Sequence, residues 1–108
     1  MNENMVRAAI GFACKAGKCF TGDYACKSML TSGKAKYLVI NTEASGNTTE
    51  RFTRLCEEAG VPLLQVDFDV GDLTGRYGCK VLVITGKAFA DMVKKALNSQ
   101  QLGIGESI

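Results

Sequence analysis

A chain of 108 residues has room for one hydrophobic core in one domain. Apolar side chains make up 46% and charged ones 22%, a balance that buries a core without metals or disulfides as staples. The net charge is +2, and no apolar run nears the roughly 20 residues that span a bilayer. Segment 1–18 lacks a basic stretch followed by a long apolar one, so no secretory leader is expected and the cytoplasm is the expected location.

In chain order, Val6, Ala9, Ile10 and Ala13 recur at helical spacing and predict a helix over about 3–16, ended by Gly17. Cys19-Phe20 is a short strand candidate. Thr21-Gly22-Asp23 opens a second helix with a small polar residue at its start. Ala25, Cys26, Met29 and Leu30 supply its apolar face, and Gly33 stops it. The continuous apolar run 37–40 predicts a central strand buried on both faces. A polar loop over 41–46 leads to a third helix from about Thr48 to Ala59, with Phe52, Leu55, Cys56 and Ala59 inward. Strand 63–66 follows Val61-Pro62. Residues 67–78 hold three acids and three glycines, with room for one short helix. A second buried strand over 81–84 precedes Thr85-Gly86, where a last helix begins with Phe89, Val93, Ala96 and Leu97 on one face. The polar tail 99–108 is expected to be loose at its end. Alternating helices and short apolar strands predict a three-layer α/β/α sandwich: a four-stranded mixed sheet and about five helices in a single domain.

The charge is segregated. Residues 1–36 carry Arg7, Lys15, Lys18, Lys27, Lys34 and Lys36 against Glu3 and Asp23, whereas 37–79 carry seven acids against Arg51, Arg54 and Arg76. A basic N-terminal third is compatible with a phosphate-facing surface, although solvated lysines are the commoner explanation of such a charge pattern. The five cysteines (Cys14, Cys19, Cys26, Cys56 and Cys79) are odd in number and form no CxxC pair. Reduced, partly buried thiols in a cytosolic protein are therefore expected, and no zinc site, since histidine is absent.

Catalytic groups are scarce. Without histidine there is no base for a serine or cysteine nucleophile. Gly86-Lys87 is followed by Ala88 and has no glycine five residues before it, so it is a helix start capped by Thr85 and not a phosphate-binding Walker loop. No GxGxxG follows a strand, and Glu57-Glu58 sit on a solvated helix face. A non-enzymatic protein without cofactor or metal is expected.

Three segments taken together carry a resemblance: Ala13-Cys14-Lys15-Ala16-Gly17-Lys18-Cys19-Phe20-Thr21-Gly22, Ser32-Gly33-Lys34-Ala35-Lys36-Tyr37-Leu38-Val39-Ile40, and Ala44-Ser45-Gly46-Asn47-Thr48. Val61-Pro62, Gly78 and the strand before Ala88-Phe89-Ala90 follow in the same order. The chain resembles the kink-turn RNA-binding ribosomal protein superfamily, of the archaeal L-seven-Ae and eukaryotic L-thirty-e type, and among these the small bacterial YlxQ-like proteins. The resemblance spans nearly all of residues 4–97. It implies an α/β/α sandwich that binds sharply bent, kink-turn RNA, which is recognised by shape and exposed base edges.

In that family the turn into the second helix reads G-x-N-E-x-x-K, where Asn and Glu reach sheared guanines and Lys supports them. Here Gly22 keeps the glycine and Asp23 takes the variable place. Tyr24 stands at the Asn position, Ala25 at the Glu position and Ser28 at the Lys position. Lys27 comes one residue early, about 100° around the helix. The family's second contact falls on the loop Arg76-Tyr77-Gly78-Cys79. The resemblance thus implies RNA binding by Lys18, Thr21, Gly22, Asp23, Tyr24, Lys27, Lys34 and Arg76. Tyr24 either stacks on a base or packs half-buried on the helix start. RNA is the expected partner, with proteins of the translation machinery beside it and no membrane. The alternatives are a protein–protein interaction module that has lost kink-turn recognition, and a small-molecule or catalytic protein on the same scaffold.

Overall fold

The computed structural model describes residues 3–76 and 78–106. The order is α1 (Glu3–Lys15), β1 (Cys19–Thr21), α2 (Asp23–Thr31), β2 (Tyr37–Asn41), α3 (Gly46–Ala59), β3 (Leu63–Val66), α4 (Val70–Thr74), β4 (Val81–Ile84) and α5 (Lys87–Glu106). The strands form one sheet in the order β1-β4-β2-β3. β4 runs antiparallel to β1 and to β2, and β3 runs parallel to β2. The expected mixed four-stranded sheet with five helices is therefore present.

β2 and β4 occupy the centre, and every residue of both is buried. Side chains alternate across a strand. Leu38, Ile40, Val81 and Val83 pack on one face with Cys26 and Leu30 of α2 and Phe52 and Cys56 of α3. Tyr37, Val39, Leu82 and Ile84 pack on the other with Val6 and Ile10 of α1, Val70 of α4 and Val93 of α5. A strand covered by helices on both faces favours apolar residues on both sides, which is why 37–40 and 81–84 read as unbroken apolar runs.

The differences from the expected elements have local causes. α3 starts at Gly46, earlier than Thr48, because the Ser45 hydroxyl accepts the Thr48 N–H at 3.1 Å and caps the helix there. Asn41, expected in a loop, ends β2 and is buried. Its Nδ2 donates to the Phe68 carbonyl and its Oδ1 accepts the Glu43 N–H, both at 2.7 Å. Thr85 does not serve as the cap of the last helix. Its hydroxyl donates instead to the Lys18 carbonyl at 3.2 Å, joining the α1–β1 turn to the end of β4. Ala59 is exposed in the final turn of α3 and takes no part in the core. α5 runs on to Glu106, past the end expected near Asn98, since no proline stops it; residues 107–108 of the expected tail lie outside the described residues.

Candidate nucleic-acid interface

β1 is an edge strand, and its far end hands the chain to α2 through Gly22. Gly22 has φ 92° and ψ 159°, a conformation in which a Cβ is strained. Its N–H donates to the Val81 carbonyl at 3.2 Å, and its carbonyl accepts the Cys26 N–H at 3.0 Å. No side chain caps α2, in contrast to the small polar cap expected. The first N–H groups of α2 have no acceptor within the helix, and with the helix dipole they favour an anion at this end. An alanine Cβ at Gly22 would meet nothing within 4 Å, so the expected penalty of Gly22→Ala is conformational rather than steric. We expect a loss of about 1–3 kcal/mol, read as a lower midpoint of thermal unfolding; an unchanged midpoint would show that the turn relaxes freely.

Next to this turn lies an open groove of about 490 Å³, lined by Cys14, Cys19, Thr21, Ala25, Thr74 and Arg76, with Phe20 on its wall. Arg76 reaches it from the loop after α4. Asp69 caps α4 by accepting the Gly71 N–H at 2.8 Å, and the Arg76 N–H donates to the Gly71 carbonyl at 3.2 Å and to the Thr74 hydroxyl at 3.3 Å. A Cβ on Gly71 would run into the Arg76 carbonyl, so glycine is needed for this loop to lie so close to α4. The Asn41–Phe68 bond anchors the connection from β3 to α4, and through it the groove wall is tied to the central strand β2.

Tyr24 is 88% exposed and packs on nothing in the core, which removes the half-buried reading. It lines a shallow depression with Lys27, Ser28 and Thr31 along the outer face of α2. Asp23 forms an ion pair with Arg51 of α3, whose guanidinium also lies 5.2 Å from the centre of the Phe52 ring. Both charged side chains are exposed, so the pair contributes little stability. Its consequence is electrostatic: Arg51 offsets the carboxylate that stands at the anion-favouring start of α2.

The predicted residues divide into two groups. Thr21, Gly22, Asp23, Tyr24, Lys27 and Arg76 lie on or beside the groove and the α2 start. Lys18, directly before Cys19, and Lys34 stand away from the α2 start. The Lys18 carbonyl accepts the Thr85 N–H at 2.8 Å, which places Lys18 beside the C-terminal end of β4, and the Lys34 N–H donates to the Met29 carbonyl at 3.0 Å, which places Lys34 at the end of α2 away from Gly22. Gly22 bonds to Val81 at the opposite end of β4, about 10 Å away at the rise of an extended chain. Tyr77, in the expected second contact, lies outside the described residues.

No protein-family model matches the sequence, and no curated protein matches it. Solved structures do match its fold. A protein of unknown function from Bacillus halodurans is similar over 86% of this chain and 96% of its own, at 16% identity and a TM-score of 0.80. A 15.5kD RNA binding protein of Giardia lamblia is similar over 90% of this chain and 85% of its own, at 16% identity and a TM-score of 0.76. The chain shares its fold with an RNA-binding protein.

Three features of the site escape sequence reasoning. Arg51 meets Asp23 across 28 residues of chain, and nothing local marks the pair. Gly71 has a faint signal, a glycine directly after the Asp69-Val70 helix start. Cys14 and Cys19 have a stronger one. They bracket the turn that reverses the chain from α1 into β1, which brings both sulfurs to one wall of the groove, 3.0 Å apart.

Proposed function

We propose that the protein binds structured, kink-turn-like RNA through the groove between the β1–α2 turn and the loop after α4, as a non-catalytic ribosomal-type protein of the cytoplasm. The observation that carries this reading is the meeting of three RNA-suited groups at one place. They are an uncapped helix start behind Gly22, Arg76 lining the adjoining groove, and an almost fully exposed Tyr24 on the first turn of that helix. Backbone N–H groups and Arg76 suit phosphate, and an exposed aromatic ring suits an unstacked base. The fold shared with the Giardia RNA binding protein supports the reading at the level of RNA binding. Among the described residues no helix is long and apolar enough to cross a membrane.

The test is a salt titration of binding to a kink-turn RNA and to a plain duplex. Replacing Arg76 and Lys27 together with Gln should weaken binding to all RNAs and reduce the salt slope by about 1–2 units, because phosphate contacts carry charge and no sequence. Replacing Lys18 and Lys34 together should leave the slope unchanged, given their place away from the α2 start. The reverse pattern would move the RNA face to those lysines.

A protein–protein interaction module is the second reading, and one observation favours it. Met5 and Phe12 are 45% and 52% exposed on α1 and line an apolar depression of about 280 Å³ with Ala8 and Met92. Salt-insensitive binding of a protein, with no RNA bound in the titration, would select it.

A further inference from the structure

Five free thiols are present, and two of them differ from the rest in placement. Cys14 lies in the last turn of α1 and Cys19 begins β1. Their sulfurs share a hydrogen bond at 3.0 Å, and both line the open groove, where solvent reaches them. Cys19 Sγ is also 3.9 Å from the Ile10 carbonyl. A disulfide needs a sulfur–sulfur distance of about 2.05 Å, so the pair is about 1 Å short of bonding distance. The chain between them is the exposed turn 15–18, held by backbone bonds from Gly17 to Cys14 and from Lys18 to Ala13, and a shift of this size falls on that turn rather than on the core.

We infer that Cys14 and Cys19 form a redox site, a thiol pair that a hydroperoxide converts to an intrachain disulfide and a thiol reductant restores. In the first step the Cys14 thiolate attacks one peroxide oxygen. An S–O bond forms, the O–O bond breaks, and the departing oxygen takes a proton from water. In the second, the Cys19 sulfur attacks the sulfenic sulfur of Cys14. The S–S bond forms, the S–O bond breaks, and hydroxide leaves with the Cys19 proton as water. The two thiols lose two electrons and the hydroperoxide gains them.

The surroundings assign the roles. When Cys14 is the thiolate, the Cys19 S–H donates to it, and this holds the Cys14 thiol below its ordinary range. The same bond, together with burial, pushes the Cys19 thiol up, which suits a resolving thiol that keeps its proton until the sulfenic acid is in place. The other three are poorer nucleophiles. Burial pushes Cys26 up to about 12 and Cys56 up to about 11, and it also raises Cys79, whose Sγ donates to the Val81 carbonyl at 3.2 Å.

The test uses the full chain without RNA, so its failure leaves the RNA reading standing. The protein is treated with an equimolar amount of hydrogen peroxide, its remaining thiols are alkylated in denaturant, and it is digested with trypsin. We expect a species lighter by two hydrogens with three alkylated cysteines, in which peptide 8–15 is linked to peptide 19–27 and fragmentation of that linked pair places the alkyl group on Cys26. Dithiothreitol should return all five thiols. In Cys19→Ser, which keeps a hydrogen-bond donor at that position, dimedone should label Cys14, whereas Cys14→Ser should show no label at Cys19. Five alkylated thiols after peroxide, a link through Cys26, Cys56 or Cys79, or a link only between chains would overturn the inference.

Discussion

Val83→Asp should abolish cooperative folding at neutral pH. Val83 is fully buried at the centre of the sheet, paired with Phe20 of β1 and Leu38 of β2, and it faces Cys26, Leu30 and Phe52. Among the described residues Asn41 is the one polar side chain in the buried set, so a carboxylate at position 83 finds no partner. The lost apolar side chain costs about 1.5–3 kcal/mol, and an uncompensated buried charge about 3–5 kcal/mol more. Together these match the lower part of the roughly 5–15 kcal/mol that holds a domain folded. The pH dependence identifies the cause. Burial raises the folded-state pKa of the new carboxyl above its unfolded value of about 3.9, so the unfolded chain ionises first as pH rises. The penalty is therefore smallest near or below pH 4 and grows above it. Circular dichroism melts of Val83→Asp should show structure recovering toward pH 4, while Val83→Asn, which carries no charge, should lack that trend. Melting of the Asp variant like the unchanged chain at pH 7 would contradict the placement of β4.

That placement shows what was legible in the sequence. β2 and β4 announce themselves because helices cover both faces of each, and only Asn41 at the end of β2, with both ends of its amide bonded, breaks the apolar run. α1 is equally plain, with Val6, Ala9, Ile10 and Ala13 buried on the face their spacing predicts. The exposure of Tyr24 was also within reach. It stands two residues before Cys26, about 200° around the helix from the buried face, so it had to point outward once Cys26 and Leu30 were set inward. Strand order was not legible. Nothing in local spacing says that β1 pairs with β4 rather than with its neighbour in sequence, and that pairing sets Gly22 beside Val81 and Lys18 beside Thr85. Grouping Lys18 and Lys34 with Gly22 followed from the resemblance and from basic charge. The extended strand β1 between Lys18 and Gly22, and helix α2 between Gly22 and Lys34, separate them in space.

The triple substitution Tyr24→Asn, Ala25→Glu and Ser28→Lys should create selectivity that the unchanged chain lacks. As it stands, the turn offers backbone N–H groups, Arg76 and an aromatic face, all of which suit RNA in general. None of Tyr24, Ala25 and Ser28 presents the amide, carboxylate and ammonium that read tandem sheared pairs in the resembling family. The unchanged chain should therefore separate a kink-turn poorly from an ordinary bulged duplex. The geometry favours the restoration. Ala25 lines the groove itself, while Tyr24 and Ser28 stand four residues apart on the adjoining face of α2. Each recovered base-edge contact is worth about 1–3 kcal/mol by analogy with bidentate readout on DNA, so even one changes the affinity ratio by roughly tenfold. Loss of folding should not confound the result. Tyr24 gives up little packing, Glu and Lys are good helix formers, and an acid in the first turn suits the helix dipole. Binding of the triple variant to kink-turn and bulged RNAs at matched salt decides the matter. Tight, selective binding by the unchanged chain would mean that Tyr24 and its neighbours already read the bent RNA in another way. A folded triple variant without gain would mean that the Arg76 side of the groove no longer admits the bend, and the apolar depression between α1 and α5 would become the leading candidate for function.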